Sequence, residues 1–223
     1  MTSRHGRLDG CSLRVVPGLG LDERSWLPTL SALSVPASSV VTLPGFGEPA
    51  NGVDLSPALL AQELLARLRP SDCVVLAGHS AGCQVVAHAA RIDPDVVRGL
   101  VLVGPTTDPR AGSWWRLAAR WLGTAVYEKP TQVPSLAAQY RRTGLRDMWR
   151  AMDRARQDRI DATLARVGCP ILVVRGPQDR ICPENWARSL SAEAVTLRRG
   201  GHMVPWTHGE ATATAITRFF ESS

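Results

Sequence analysis

The amino-acid sequence predicts an α/β fold, with a mostly parallel sheet of about six strands flanked by helices. Short apolar segments with little alternation recur along the chain, which is typical of strands that are covered by helices on both faces. Segments with helical spacing lie between them, as in βαβ units whose strands pair in parallel. The predicted strands are 12–16, 39–43, 72–77, 99–104, 170–175 and 194–198.

The predicted helices follow from the spacing of their apolar residues. Residues 23–33 place Trp26, Leu30 and Leu33 at helical intervals, and Asp22 precedes them as a candidate N-cap. Pro28 is best tolerated in a first turn, so the start of this helix is left open. An amphipathic pattern of leucines predicts a second helix. It covers 55–68, and the remaining predicted helices are 81–91, 184–191 and 208–220.

The alternation of strands and helices stops between residues 105 and 166. This stretch is helical in composition, rich in arginine and tryptophan, and interrupted at Pro130 and Pro134. The sequence therefore predicts one α/β core, formed by residues 1–104 and 167–223, with a helical cap inserted at 105–166.

Composition and charge restrict the class of protein. Hydrophobic residues make up 44% of the chain and charged residues 21%, which is ordinary for a soluble globular protein. No apolar run approaches the roughly 18–20 residues that span a bilayer, and the basic residues near the N-terminus precede no apolar stretch. Residues 105–166 hold 12 Arg/Lys against 6 Asp/Glu, whereas the rest holds 14 of each. We expect a locally basic surface, with no membrane and no nucleic acid as partner.

The five cysteines are scattered, odd in number and without a C-x-x-C pair. They indicate neither a disulfide framework nor a zinc site, and a reduced, cytoplasmic setting is the simplest interpretation. No histidine has a partner at metal-ligand spacing. We therefore predict no metal and no cofactor.

The motif Gly78-His79-Ser80-Ala81-Gly82 directly follows the predicted strand 72–77 and opens the predicted helix 81–91. A strand, a G-x-S-x-G turn and a helix together expose a serine hydroxyl above the sheet, near a helix N-terminus. The turn is sharp enough to require small flanking residues. The motif alone is a weak signal, since most serines between glycines lie in plain turns, but its context favours a nucleophilic serine.

In this motif and in the residues after it, the chain resembles the α/β-hydrolase family. The family's order is nucleophile, acid, histidine, which Ser80, Asp179 and His202 match. The resemblance implies that His202 activates Ser80 and that Asp179 orients the imidazole. Each of the last two follows a predicted strand, although a solvated turn or loop residue is the alternative for both. Some family members place their acid after the preceding strand, where this chain has Asp108.

The resemblance also implies an oxyanion hole of two backbone N–H groups. One comes from the residue after the nucleophile, Ala81 here. The other comes from the loop after the first predicted strand, where the family often has His-Gly. This chain has Pro17-Gly18, so Leu19 is the candidate donor. We expect the family's opening β-hairpin to be absent or reduced to residues 1–10.

Helices inserted at this point form a cap over the site in the family, which implies a substrate pocket walled by aromatic rings. The candidates are Trp114, Trp115, Trp121, Tyr140 and Trp149. The alternative is that the rings form a small core within the cap. The cap arginines fit contact with coenzyme A or an acyl-carrier protein, although such arginines more often form a solvated helix face.

The hypothesis favoured by these residues is a serine hydrolase that cleaves a carboxylic ester or thioester through an acyl-serine intermediate, on a small-molecule or carrier-bound acyl substrate. The same triad also serves acyl transfer, cyclisation, carbon–carbon cleavage and lyase chemistry, and sequence does not separate these. A hypothesis of another class is a non-catalytic binding protein that retains the fold.

Overall fold

The computed structural model describes residues 10–68, 73–128 and 130–222. Five strands form one sheet in the order β1-β4-β5-β6-β7, with parallel pairing throughout. These strands are β1 (Ser12–Val16), β4 (Val74–His79), β5 (Val97–Val103), β6 (Ile171–Arg175) and β7 (Glu193–Thr196); the short β2 (Leu43–Pro44) and β3 (Gly47–Glu48) pair separately. The predicted α/β fold with a mostly parallel sheet is confirmed.

The sheet has five strands in the described residues, not the predicted six, because 39–43 does not become a full strand. A 3-10 turn occupies Ala37–Ser39, and the chain turns again after Pro44. Only a single bridge from Val40 to Val15 remains, with a hydrogen bond of 2.8 Å from the Val41 N–H to the Val15 carbonyl. The apolar residues of this segment still pack against the core.

Ten α-helices surround the sheet within the described residues. They are α1 (Leu27–Ala32), α2 (Pro57–Ala66), α3 (Gly82–Ile92), α4 (Trp114–Ala125), α5 (Val133–Thr143), α6 (Leu145–Gln157), α7 (Ile160–Leu164), α8 (Glu184–Leu190), α9 (Val204–Thr207) and α10 (Gly209–Ser222). The predicted helix 23–33 divides into a 3-10 turn and α1, because Pro28 lies in the first turn of the α-helix. The Asp22 carboxylate caps the 3-10 turn by accepting from the Arg24 N–H at 3.1 Å.

The sheet has a separate apolar layer on each face. Successive side chains of a strand point to opposite faces, so Val74 and Leu76 pack with α2 and α3, whereas Val75 and Ala77 face the opposite way. On that second face, Trp26, which directly precedes α1, packs together with Phe219 of α10. Burial on both faces explains why these strands lack polar alternation.

Helices α4 to α7 lie between β5 and β6 in the chain, inside the stretch 105–166 that we call the insertion. Polar contacts join it to the core at separate points. The Gln84 side-chain amide donates to the Ala155 carbonyl at 2.8 Å, and the Asp22 N–H donates to the Gln139 side-chain oxygen at 2.9 Å. The insertion is therefore held at both α3 and the loop after β1.

Cys11 and Cys73 form a disulfide, so the expectation of no disulfide is wrong for this pair. They directly precede Ser12 and Val74, which are register partners in β1 and β4, and their Cα atoms are 4.6 Å apart. Sequence spacing could not indicate the pair, because 62 residues separate them. The cytoplasmic location predicted from free cysteines stays a prediction.

No helix of the described residues combines the length and apolar character needed to cross a bilayer. No cluster of three or more His, Cys, Asp or Glu side chains in that part of the chain is arranged to hold a metal ion.

Candidate active site

Ser80 lies at a sharp turn between β4 and α3, with a left-handed φ of 55°. Its N–H donates to the Val103 carbonyl at 2.9 Å, which ties the turn to β5. A Cβ at Gly78 would lie 2.7 Å from the Gly82 carbonyl oxygen, and a Cβ at Gly82 would lie 2.5 Å from the Pro17 carbonyl oxygen. The glycines are therefore required by close backbone approach, and the strained serine sits at the mouth of a cavity.

Asp179 and His202 lie in the loops after β6 and β7 and form a buried pair. The His202 Nδ1–H donates to one carboxylate oxygen of Asp179 at 2.8 Å. The other carboxylate oxygen accepts from the Ile181 and Cys182 N–H groups at 2.9 and 3.0 Å. Within the described chain, Nε2 of His202 is buried and has no hydrogen-bond partner. The ring nitrogen that remains unpaired is the one that a base needs.

The two members of this pair shift each other's pKa in opposite directions. Burial would raise the pKa of Asp179, but the charge and hydrogen bond of His202 outweigh burial and hold it below the ordinary value. Burial would lower the pKa of His202, but the charge and hydrogen bond of Asp179, with the charge of Glu128, raise it above the ordinary value. The site thus favours a carboxylate beside an imidazole that protonates readily.

Arg175, at the end of β6, fixes the loop that carries Asp179. Its guanidinium is buried and donates to three backbone carbonyls, those of Cys182 at 2.7 Å, Asp179 at 3.0 Å and Pro177 at 3.3 Å. A charged residue at the end of an otherwise apolar strand is the sequence signal that could have indicated this role.

Asp108, the alternative acid, follows β5 and is also buried. Its carboxylate pairs with arginines of the insertion, Arg110 at 2.9 Å and Arg120 at 2.9 Å. It also accepts from the Arg110 N–H at 3.0 Å, as the cap of a 3-10 turn. The structure therefore brings Asp179, and not Asp108, to the imidazole of His202.

His79 lies under the site as a neutral, fully buried ring. Its Nε2–H donates to the His202 carbonyl at 3.1 Å, and the two ring centroids are 4.9 Å apart. Burial lowers the pKa of His79 to about 3. A Cβ at Gly18 would lie 2.7 Å from Nδ1 of His79, so this ring also packs against the loop after β1. These contacts give His79 a positional role beneath the site.

The predicted oxyanion donors flank Ser80. Ala81 precedes α3 as its N-cap, and Leu19 lies in the loop that follows β1. In the part of the chain that the structure describes, no group accepts a hydrogen bond from the Leu19 or Ala81 N–H. Both are available to a developing oxyanion, and the start of α3 adds a favourable dipole.

An apolar cavity of about 310 Å³ lies above Ser80 and His202. Its floor includes Gly18 and His79, and α4, α5 and α6 of the insertion form its other walls. Four of the five predicted aromatic residues line it, namely Trp114, Trp121, Tyr140 and Trp149. The fifth, Trp115, is not in the lining; it is 68% exposed, and Arg116 packs over its ring.

Sequence reasoning missed most of the aliphatic wall. The unpredicted lining residues of the insertion are Leu117, Ala118, Leu145, Met148 and Met152, and Met203 follows the candidate base. Trp114 and Trp149 stack at 5.5 Å with an interplanar angle of 4°, so these rings partly contact each other. Both interpretations of the aromatic set therefore apply.

A second apolar cavity of about 320 Å³ shares part of its lining with the first. Trp121, Tyr140, His202 and Met203 border both cavities. Glu128 also lines the second one, and sequence reasoning missed its contact with the histidine loop.

Comparison with protein families matches residues 15–215 to the model described as the alpha/beta hydrolase family. The chain belongs to the alpha/beta hydrolase family. As a member of this enzyme family, it is a hydrolase at the level that the match supports. A search of curated proteins gives no match.

Solved structures with the same fold are similar over nearly the whole chain. A hydrolase from Oleispira antarctica has a TM-score of 0.77 at 12% identity, covering 96% of this chain and 92% of its own. The N-formylmaleamic acid deformylase Nfo of Pseudomonas putida S16 has a TM-score of 0.68 at 22% identity, covering 93% of this chain and 92% of its own. A thermophilic esterase has a TM-score of 0.70 at 19% identity, covering 94% of this chain and 89% of its own. At these identities the likeness establishes the fold alone.

Proposed function

We propose that this alpha/beta hydrolase cleaves a carboxylic ester or thioester with an apolar acyl group, through an acyl-Ser80 intermediate. The observation that carries the proposal is the shared cavity. Ser80 and His202 border the same apolar space, Nε2 of His202 has no hydrogen-bond partner among the described residues, and Asp179 holds the opposite nitrogen of the ring. This arrangement fits a nucleophile, a base and an orienting acid.

Each step of the proposed reaction is assigned to a residue. Ser80 Oγ attacks the acyl carbon while His202 Nε2 takes its proton, and the Leu19 and Ala81 N–H groups receive the oxyanion. Asp179 stabilises the imidazolium that forms. The imidazolium gives its proton to the leaving oxygen or sulfur, and the acyl group remains on Ser80. Water then attacks the acyl-enzyme by the same route and releases the carboxylic acid.

The acyl group is assigned to the cavity of about 310 Å³ because its wall is almost entirely apolar. In this proposal the insertion acts as a cap, since three of its helices supply that wall. An unbranched or aromatic acyl chain fits such a lining better than a polar one. Several wall residues are methionines, which adapt to irregular shapes.

The proposal includes thioesters in which the leaving group is the thiol of a carrier. Arg141 and Arg146 of the insertion are exposed and form no ion pair within the described residues, so they suit a phosphate-bearing carrier. Other arginines of the insertion are neutralised, as Arg150 is by Asp147 at 3.2 Å.

The test is turnover of p-nitrophenyl esters of increasing acyl length beside an acyl-coenzyme A series, with Ser80→Ala as the control. Alanine keeps the Cβ at the strained position, so the fold should be retained and hydrolysis should fall by roughly 10⁴-fold or more. Near wild-type turnover by Ser80→Ala would refute the proposal. Added alcohol or amine that captured the acyl group in place of water would assign acyl transfer instead.

A further inference from the structure

We infer that Glu128 of the insertion is a positioning residue for His202, holding the backbone of the histidine loop and stabilising the protonated ring. The inference rests on the proposed function, in which His202 is the base. It assigns part of the catalytic electrostatics to a segment 74 residues away in sequence.

Glu128 contacts the histidine loop through its carboxylate. One oxygen, Oε1, accepts from the His202 N–H at 2.6 Å and from the Met203 N–H at 3.0 Å. Hydrogen bonds from backbone N–H groups to a carboxylate are stronger than those between neutral groups. Two of them on consecutive residues fix the backbone from which the imidazole projects.

The chain leaves room for this carboxylate at Gly201. The ideal Cβ position of Gly201 would fall against Oε1 of Glu128, closer than two atoms can approach. A side chain at 201 would therefore push the carboxylate away from the His202 and Met203 N–H groups. Glycine is therefore required at position 201 for Glu128 to approach this closely. This observation is independent of the two hydrogen bonds.

The helix that precedes Glu128 contacts the acid loop as well. Thr124 lies one helical turn earlier in α4, and its hydroxyl accepts from the Arg180 N–H at 3.1 Å, next to Asp179. The end of α4 therefore fixes both loops of the Asp179–His202 pair.

The charge of Glu128 also acts on the imidazole. Its second oxygen, Oε2, is buried without a hydrogen-bond partner in the described residues, so solvent screens the carboxylate poorly. The titratable groups that face His202 are Asp179 from the loop after β6, Glu128 from the insertion, and His79 from β4. His79 is neutral, so the two carboxylates together favour the imidazolium.

Three variants separate the backbone contact from the charge. Glu128→Gln keeps an acceptor for the two N–H groups and removes the charge. Glu128→Ala removes both, and Gly201→Ala displaces the carboxylate while leaving it in the chain. Asp161→Asn is the matched control, because Asp161 is a carboxylate of the insertion that pairs with Arg159 away from the site.

The first measurement is an NMR titration of the His202 ring in the full chain, assigned with His202→Gln. We expect a lower titration midpoint in Glu128→Gln than in the wild type, and an unchanged midpoint in Asp161→Asn. This readout needs no substrate, so a lower midpoint supports the inference even if no ester is hydrolysed. Equal midpoints in wild type and Glu128→Gln would overturn it.

The second measurement is the pH dependence of Ser80 labelling by a fluorophosphonate, with thermal unfolding as the folding check. In Glu128→Gln the acid limb should move to lower pH. In Glu128→Ala and Gly201→Ala the plateau rate should also fall, on the order of 10-fold to 100-fold. Folded Glu128→Ala that labels at the wild-type rate across the pH range would overturn the inference. Failure of the wild type to label would refute the proposed function and leave the NMR result to decide on Glu128.

Discussion

Asp179 and His202 form a hydrogen bond of 2.8 Å between two side chains that are both more than nine-tenths buried. The carboxylate keeps two further hydrogen bonds from backbone N–H groups, so it cannot rotate away from the ring. A buried charge of this kind is tolerated only because it is paired and hydrogen-bonded. The pair therefore fixes the tautomer and the direction of the imidazole.

Replacing Asp179 with asparagine should lower kcat/KM by about 10⁴-fold, because the amide no longer favours the Nδ1–H tautomer or the imidazolium. Steady-state hydrolysis of a p-nitrophenyl ester measures the effect, with thermal unfolding as the control for folding. Asp108→Asn should lose less than about 10-fold, since that carboxylate pairs with arginines of the insertion. A larger loss in Asp108→Asn than in Asp179→Asn would reverse the assignment of the acid.

The rate should fall on acidification with a midpoint above pH 6.5. The pKa of His202 is raised above its ordinary value of 6.5, so the ring becomes protonated and unable to act as a base at a higher pH than a free histidine. The pKa of Asp179 is lowered, so this carboxylate stays ionised throughout the acid limb. A profile of kcat/KM against pH tests this, and a flat profile from about pH 5 to 8 would exclude His202 as the base.

Gly82→Ala should impair both stability and the oxyanion hole. The added Cβ would lie 2.5 Å from the Pro17 carbonyl oxygen, which forces the start of α3 away from the loop that carries Leu19. We expect a stability loss of about 1–3 kcal/mol and a fall in kcat of about 10²–10³-fold. Gly168→Ala is the control, because nothing lies within 4 Å of its Cβ position. Chemical denaturation and kcat measure the two effects; equal kcat in both variants would contradict this placement of the donors.

Leu117→Trp should shift the substrate preference toward short acyl groups. Leu117 is a buried wall residue of the cavity of about 310 Å³ above Ser80, and a tryptophan would fill space that a long chain needs. The kcat/KM for long-chain esters should fall by at least about 10-fold, while that for acetate stays within about 2-fold. Trp115→Ala, which changes an exposed ring outside the lining, should leave the chain-length series unchanged. A parallel fall for all chain lengths would argue against this cavity as the acyl pocket.

The sequence predicted the core well because strong local signals coincide there. Apolar strands ending in Gly-rich turns place Ser80, Asp179 and His202 at one edge, since the carboxyl ends of parallel strands meet there. The elements could be located to within a few residues for the same reason. The strand predicted at 39–43 is wrong because its apolar residues are buried without extended strand pairing. Hydrophobic pattern alone does not distinguish a buried strand from a buried irregular segment.

The contacts made across long sequence distances could not be predicted. Asp108 and Asp179 each follow a buried strand, so their sequence contexts are alike. Only their partners in space distinguish them, arginines of the insertion for Asp108 and His202 for Asp179. Glu128 lies just after α4, and the docking position of that helix depends on tertiary packing. The same holds for the cavity wall, where the apolar side of α4 predicts burial but does not identify which residues face the substrate.

The two cavities beside His202 share four lining residues, namely Trp121, Tyr140, His202 and Met203. Methionine has three rotatable bonds and adapts its shape at small energetic cost. Because Met203 borders both cavities, rotation of its side chain would change the wall between them without movement of the helices. Under the proposed function, the second cavity is the space that the end of a long acyl chain would enter.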